Sequence, residues 1–296
     1  MFMPNDASPQ DIEPVSRTWT SQGLTLNYVD WGNESAPLLI LLHGNSDHAR
    51  SWDWTARALC KDWRVVAPDL RGHGDSAWSP DGAYLSPYHV MDFVDLMDQA
   101  FAGQKATIVA HSFGGVVAMR YAAMFPERVA KLAIVDGQGP SRAILDRWAA
   151  IGYVKRTRDW IEKRRKFTSR APRVLASVED AAERMRAENK SLSEAQALHL
   201  ARHGVRQVEG GYVWKRDPQV AAFAVEDFLA DGPDIWTQIK APTLFLYATK
   251  SWKYDPDAPE LEKHFVDSRA LTFDGAGHWI HHDRLDAFVA ALRGFL

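Results

Sequence analysis

The sequence predicts an α/β fold built on a mostly parallel, doubly wound sheet. Two observations point there. Short apolar, β-branched runs alternate with helical stretches along the chain, and residues 105–125 pass from such a run through Ser112 and two glycines straight into a helical pattern. That second segment reads as a strand, a very tight turn and a helix, with Ser112 at the apex.

Taken in order, strands are expected near 17–21 and 24–31, then at 37–43, where Pro-Leu-Leu-Ile-Leu-Leu precedes His43-Gly44. Residues 63–68 form the next strand and break into the Gly-rich stretch Asp69-Leu70-Arg71-Gly72-His73-Gly74-Asp75-Ser76. Residues 105–111, 129–135, 242–248 and 269–274 complete eight strands, the last running into Gly275-Ala276-Gly277-His278. Helical spacing is expected over 47–60, 86–102, 113–125, 256–265 and 282–295. Residues 140–235 interrupt the alternation: they read as helical, are rich in Lys, Arg, Glu and Ala, and carry turn signals at Ala171-Pro172, Gly210-Gly211 and Asp231-Gly232-Pro233. The expected organisation is therefore a core domain from 1–139 and 236–296 with a helical cap, 140–235, inserted after strand six.

The loops at the carboxyl ends of the strands are where a parallel sheet holds its ligands. A serine at the apex of the tight turn projects its hydroxyl out of the sheet, and the helix beginning beside it favours developing negative charge. Gly114 and Gly115 are expected to let the helix approach its own strand closely. The motif Ala110-His111-Ser112-Phe113-Gly114 departs from G-x-S-x-G at its first position, where alanine replaces glycine.

With His43-Gly44, the Asp69–Ser76 stretch, His111-Ser112-Phe113-Gly114-Gly115 and Gly277-His278-Trp279 in this order, the chain resembles the α/β-hydrolase superfamily from about residue 17 to 296. The resemblance implies a mostly parallel eight-stranded sheet flanked by helices, a cap after strand six, and a nucleophile–acid–histidine triad. Ser112 is the expected nucleophile and His278 its base, because a serine hydroxyl needs a group that removes its proton during attack. His281 and His282 are expected at the surface or behind the site, and His43, His73 and His111 in structural or loop-supporting roles. The superfamily's usual acid lies after the seventh strand in a G-x-x-D pattern, but Ala248 and Ser251 occupy those places here. Two carboxylates remain: Asp136, which ends the sixth strand and is favoured, and Asp255, four residues beyond the usual position. The backbone N–H groups of Asn45 and Phe113 are the expected oxyanion donors.

The implied chemistry is hydrolysis of a carboxylic ester or thioester through an acyl-enzyme, and Ser251, Asp136 and Gly277-His278-Trp279 together resemble a subgroup of small esterases and thioesterases. A C–C bond hydrolase of ring-fission products using the same triad, or a non-hydrolytic ligand-binding or lyase descendant of the fold, are the alternatives. Haloalkane dehalogenase chemistry is disfavoured, since it needs an aspartate nucleophile where Ser112 stands.

Composition narrows the partners. A net charge of −3 gives no pull toward nucleic acid or anionic membrane. No signal peptide or bilayer-spanning run is read, and the lone Cys60 fits a reducing, cytoplasmic setting. No cofactor or metal is expected; the expected partner is a small-molecule ester or thioester, with homo-oligomerisation left open. Trp52, Trp54, Trp78, Trp148, Trp160 and Trp214 are read mainly as packing residues with an aromatic acyl pocket as the alternative. The nine Lys and Arg residues between 155 and 173 are read as a solvated cap face, or as a surface that meets an anionic group such as acyl-CoA phosphates.

Overall fold

The computed structural model describes residues 12–169, 171–229, 232–252 and 261–296. Its strands are β1 (Val15–Ser21), β2 (Leu24–Asp30), β3 (Leu38–Leu42), β4 (Arg64–Pro68), β5 (Ala106–His111), β6 (Val129–Val135), β7 (Val205–Val208), β8 (Gly211–Trp214), β9 (Thr243–Ala248) and β10 (Ser268–Phe273). Its helices are α1 (Asp53–Leu59), α2 (Ser86–Ala100), α3 (Phe113–Met124), α4 (Arg142–Ala150), α5 (Tyr153–Thr168), α6 (Val178–Glu188), α7 (Glu194–Gly204), α8 (Glu226–Leu229), α9 (Pro233–Trp236), α10 (Ile280–Asp283) and α11 (Leu285–Phe295).

Eight strands form one sheet in the order β1-β2-β4-β3-β5-β6-β9-β10. β2 pairs antiparallel with β1 and β4, and every later neighbouring pair is parallel. The central strands are buried on both faces, so they read as unbroken apolar runs, and their period of two sorts the side chains into two cores. Ile40, Leu42, Ile108, Ala110 and Ile134 pack with Phe93 and Leu96 of α2 and Met119 and Tyr121 of α3. Leu39, Leu41, Val109, Ala133 and Val135 pack on the opposite side with Ala56 and Leu59 of α1 and Phe288 and Leu292 of α11. This double cover holds the strand ends, and the loops leaving them, in fixed positions.

Each strand expected in the main sheet lies on an observed one. The stretch 140–235, expected to be helical, also contains the β7–β8 hairpin. Its sequence reason is the pair Gly210 (φ 83°) and Gly211 (φ 146°), which lets the chain turn back between Val205–Val208 and the β-branched and aromatic Tyr-Val-Trp. The expected final helix is broken at Arg284 into α10 and α11. Of the helix expected at 256–265, residues 256–260 lie outside the described residues, and Glu262–His264 form a single 3-10 turn. Among the described residues no helix is long and apolar enough to cross a membrane.

Candidate active site

Ser112 sits between β5 and α3 at φ 52° and ψ −118°, a backbone conformation that non-glycine residues rarely hold. The surrounding packing over-determines it. The Ser112 N–H donates to the Val135 carbonyl at 3.0 Å, and the glycines nearby admit no side chain. A Cβ on Gly114 would lie 2.6 Å from the carbonyl oxygen of His43, and one on Gly115 would lie 2.5 Å from that of Gly137. These glycines thus serve the approach of α3 to the ends of the neighbouring strands β3 and β6 more than to its own strand. Gly44 is equally constrained, since a Cβ there would meet the Ser112 Cβ at 2.8 Å.

Asp136 directly follows β6, also at positive φ (44°), and its N–H donates to the Leu246 carbonyl of β9 at 2.8 Å. His278 lies in the loop after β10. That loop is tied to the one after β9 through Lys250 N–H to the Ala276 carbonyl (2.9 Å) and Gly275 N–H to Thr249 Oγ1 (2.8 Å). His111, at the end of β5, donates from Nε2 to the His278 carbonyl at 2.9 Å. Three strand ends and the loop after β10 are thereby linked into one unit.

The side chains meet in a line. His278 Nε2 is 2.9 Å from Ser112 Oγ, and its Nδ1 hydrogen-bonds Asp136 Oδ2. Ser112 and His278 are each 9% exposed and Asp136 is 1% exposed, so the line is withdrawn from bulk water. Ser251, which stands where the superfamily's usual acid would, donates its hydroxyl to Asp136 Oδ2 at 2.6 Å. A hydroxyl, an imidazole and a carboxylate in this order are arranged to move a proton from Oγ to the ring while the carboxylate fixes the tautomer. Asp255, the alternative acid, lies outside the described residues.

The two expected oxyanion donors adjoin Ser112 and Gly44 in the chain, and a Cβ on Gly44 would meet that of Ser112. Phe113 opens α3, where first-turn N–H groups have no partner within the helix. Its ring stands edge-on to His89, 4.9 Å between centroids. Asn45 follows Gly44, with its Oδ1 3.1 Å from Nε2 of His73. His73 accepts the Ser46 N–H at 3.1 Å and donates from Nδ1 to the Arg71 carbonyl, so it supports the Asn45 loop as well as its own. His43 accepts the Leu70 N–H at 3.0 Å and joins the ends of β3 and β4. Burial holds both imidazoles below their ordinary pKa, and they are neutral at pH 7. Asp69 anchors the same loops, accepting from Ala49 N–H (2.7 Å), Asn27 Nδ2 (2.9 Å) and Asp75 N–H (3.0 Å).

His281 and His282 are buried, 1% and 8% exposed, so the surface alternative does not apply to them. The reason is that α10 packs against α1's leading turn: His281 stacks on Trp52 at 4.3 Å and His282 Nε2 donates to the Ser51 carbonyl at 3.0 Å. Two groups of side chains have donor atoms close enough to share a cation, within 4.8 Å: Asp47, His111 and His281, and Asp53, His199 and His203. Asp53 is already engaged by Arg50 at 2.7 Å. Neither group includes Ser112, Asp136 or His278.

Of the tryptophans singled out above, Trp52 is fully buried, while Trp78 and Trp160 donate to the carbonyls of Lys215 and Ala222, which suits packing roles. The tryptophans beside the His278 ring are instead Trp279 (5.1 Å) and Trp252 (5.6 Å), the latter 72% exposed. Sequence reasoning missed two features: the part of Ser251 as a donor to Asp136, and Trp252 beside the ring. Their signal was the displaced acid itself, since a carboxylate moved to Asp136 leaves residues after β9 free to support it.

The sheet order, the strained serine between β5 and α3 and the histidine after the last strand define the α/β-hydrolase fold. Residues 39–291 match the alpha/beta hydrolase family. A serine hydrolase-like protein of Danio rerio is 30% identical over 276 residues, covering 90% of this chain and 83% of its own. Esterase Rv0045c of Mycobacterium tuberculosis is 28% identical over 289 residues, covering 96% and 90%. Among solved structures, the thioesterase domain from the curacin biosynthetic pathway superposes with a TM-score of 0.82 at 22% identity, covering 95% of this chain and 99% of that one. The chain belongs to the alpha/beta hydrolase family and is an enzyme, a hydrolase.

Proposed function

We propose that this enzyme hydrolyses small-molecule carboxylic esters or thioesters through an acyl-enzyme on Ser112. The observation that carries the reading is the single imidazole of His278, within 2.9 Å of Ser112 Oγ on one side and bonded to Asp136 on the other. His278 takes the hydroxyl proton as Ser112 attacks the carbonyl carbon, then gives it to the departing alcohol or thiol; the same ring activates the water that releases the acid. Asp136 keeps Nδ1 protonated and stabilises the charge that forms on the ring. Ser251 holds the Asp136 carboxylate in place. The N–H groups of Phe113 and Asn45 receive the oxyanion of the tetrahedral intermediate, at the positive end of α3. The printed names of the relatives, a serine hydrolase-like protein, an esterase and a thioesterase domain, support this class of substrate.

Residues 140–235 serve as the cap over the site. Its support is the set of bonds this stretch makes to loops at the strand ends: His48 Nε2 to the Leu200 carbonyl (3.0 Å), Tyr84 OH to Asp217 (2.6 Å), and Gln196 to the His282 carbonyl (3.3 Å). The lone thiol, Cys60, is buried and is consistent with work in the reducing cytoplasm.

The test is turnover of a panel of p-nitrophenyl esters and acyl thioesters by wild type and Ser112→Ala. Saturable hydrolysis by wild type, lost in the variant with the thermal melt unchanged, supports the reading; equal hydrolysis by both would end it.

A further inference from the structure

Arg216, just after β8, is partly buried; the carboxylate whose charge acts on it, Glu188, does not form an ion pair with it among the described residues. Several other buried or partly buried arginines are paired: Arg50 with Asp53, Arg64 with Asp30, Arg71 with Asp92, Arg120 with Asp227 and Arg156 with Glu226, each at 2.6–3.0 Å. Partial burial depresses the Arg216 pKa, and the charge of Glu188, beyond ion-pair distance, offsets this only in part. The backbone holds it there from both sides. Lys215 N–H donates to the Gly204 carbonyl (2.8 Å), Trp78 donates to the Lys215 carbonyl (2.9 Å), and Asp217 N–H donates to the Gly72 carbonyl (2.8 Å).

Its position ties it to the reacting centre. Nη1 of Arg216 donates to Ser46 Oγ, the residue after Asn45 and two after Gly44, which packs against Ser112. Two residues of chain span at most about 7 Å between Cα atoms, which bounds how far Ser46 can lie from Gly44 and its contact with Ser112. One planar guanidinium beside one hydroxyl matches a carboxylate in shape and charge.

We propose that Arg216, with Ser46, is the anchor for a carboxylate on the substrate, so that the preferred substrates are half-esters or thioesters of short dicarboxylic acids. The proposal rests on the hydrolase reading for its chemistry and on Arg216 alone for its selectivity.

The test compares the monomethyl esters of succinic, glutaric and adipic acids with methyl butyrate, valerate and hexanoate, followed by proton release. For the best half-ester, Arg216→Gln raises KM by about 10-fold or more, the size of one charge-assisted hydrogen bond. The neutral ester changes less than about threefold, and Arg216→Lys recovers part of the loss, since it keeps the charge without the fork. In parallel, the Ser112→Ala protein is titrated calorimetrically with monomethyl glutarate and with methyl valerate. Saturable binding of the half-ester alone, weakened by adding Arg216→Gln, supports the anion site even where no ester is turned over, which would fault the hydrolase reading instead. Equal losses on charged and neutral esters, no loss on either, or no preferential binding of the half-ester would overturn the proposal.

Discussion

At the scale of single residues, the account turns on a carboxylate that has moved. Asp136 at the end of β6 reaches His278, and Ser251 after β9 donates to it at 2.6 Å. Asp136→Asn leaves an amide that presents a donor to Nδ1 and favours the wrong tautomer, so kcat is expected to fall by about 10^4-fold with the melt little changed. Ser251→Ala removes one charge-assisted bond and leaves the acid in place; kcat should drop by about 10-fold with KM near wild type. Steady-state kinetics on one good ester decide both. If Asp136→Asn is nearly silent and Asp255→Asn is not, the acid is wrongly assigned. That Ser112, His278 and Asp136 would come together was legible in the sequence, because each directly follows a strand or sits in a glycine-flanked loop after one. The donor role of Ser251 was not, because a serine in an acid's place shows only that the acid is elsewhere; what the serine touches depends on how two loops are joined.

At the scale of elements, the junction of β5 with α3 is the most tightly specified. Gly115→Ala puts a methyl group 2.5 Å from the Gly137 carbonyl, backbone that cannot move without disturbing Asp136. The expected cost is about 2–3 kcal/mol, or a fall in Tm of roughly 5–8 °C, with activity lost more than stability. A melt within 1–2 °C of wild type, which is about the reproducibility that such shifts demand, would show the junction to be looser than described. The central strands of the main sheet were readable because burial on both faces leaves unbroken apolar runs. The hairpin β7–β8 was not, because Val205–Val208 and Gly211–Trp214 are four residues each, carry no period-two pattern and lie within a stretch of helical pattern. The break before α11 also escaped: Ile280, His281 and His282 are buried by tertiary packing against Trp52, and histidine spacing carries no such information.

At the scale of the whole molecule, the fold holds several imidazoles neutral in its interior. Burial pushes His89 down to about 3, and lowers His43 and His73 for the same reason. In the unfolded chain these rings take up protons near pH 6.5, and in the fold they do not. The unfolded state therefore binds more protons below that pH. Stability is complete above about pH 6.5 and falls as the pH drops toward the folded-state values, by up to about 1.4 kcal/mol per pH unit for each such ring. Guanidinium unfolding should show a clearly lower midpoint at pH 5 than at pH 7.5, and His89→Gln should flatten the difference. Equal midpoints would mean that these rings are protonated in the fold.

The most direct measurement is the mass of the intact enzyme during turnover. Rapid acid quench after mixing with an activated ester should reveal a species heavier by one acyl group, with the added mass on the peptide bearing Ser112 and absent from Ser112→Ala. Turnover with no such species under conditions where deacylation is slowed, or an acyl group found on another side chain, would contradict the account.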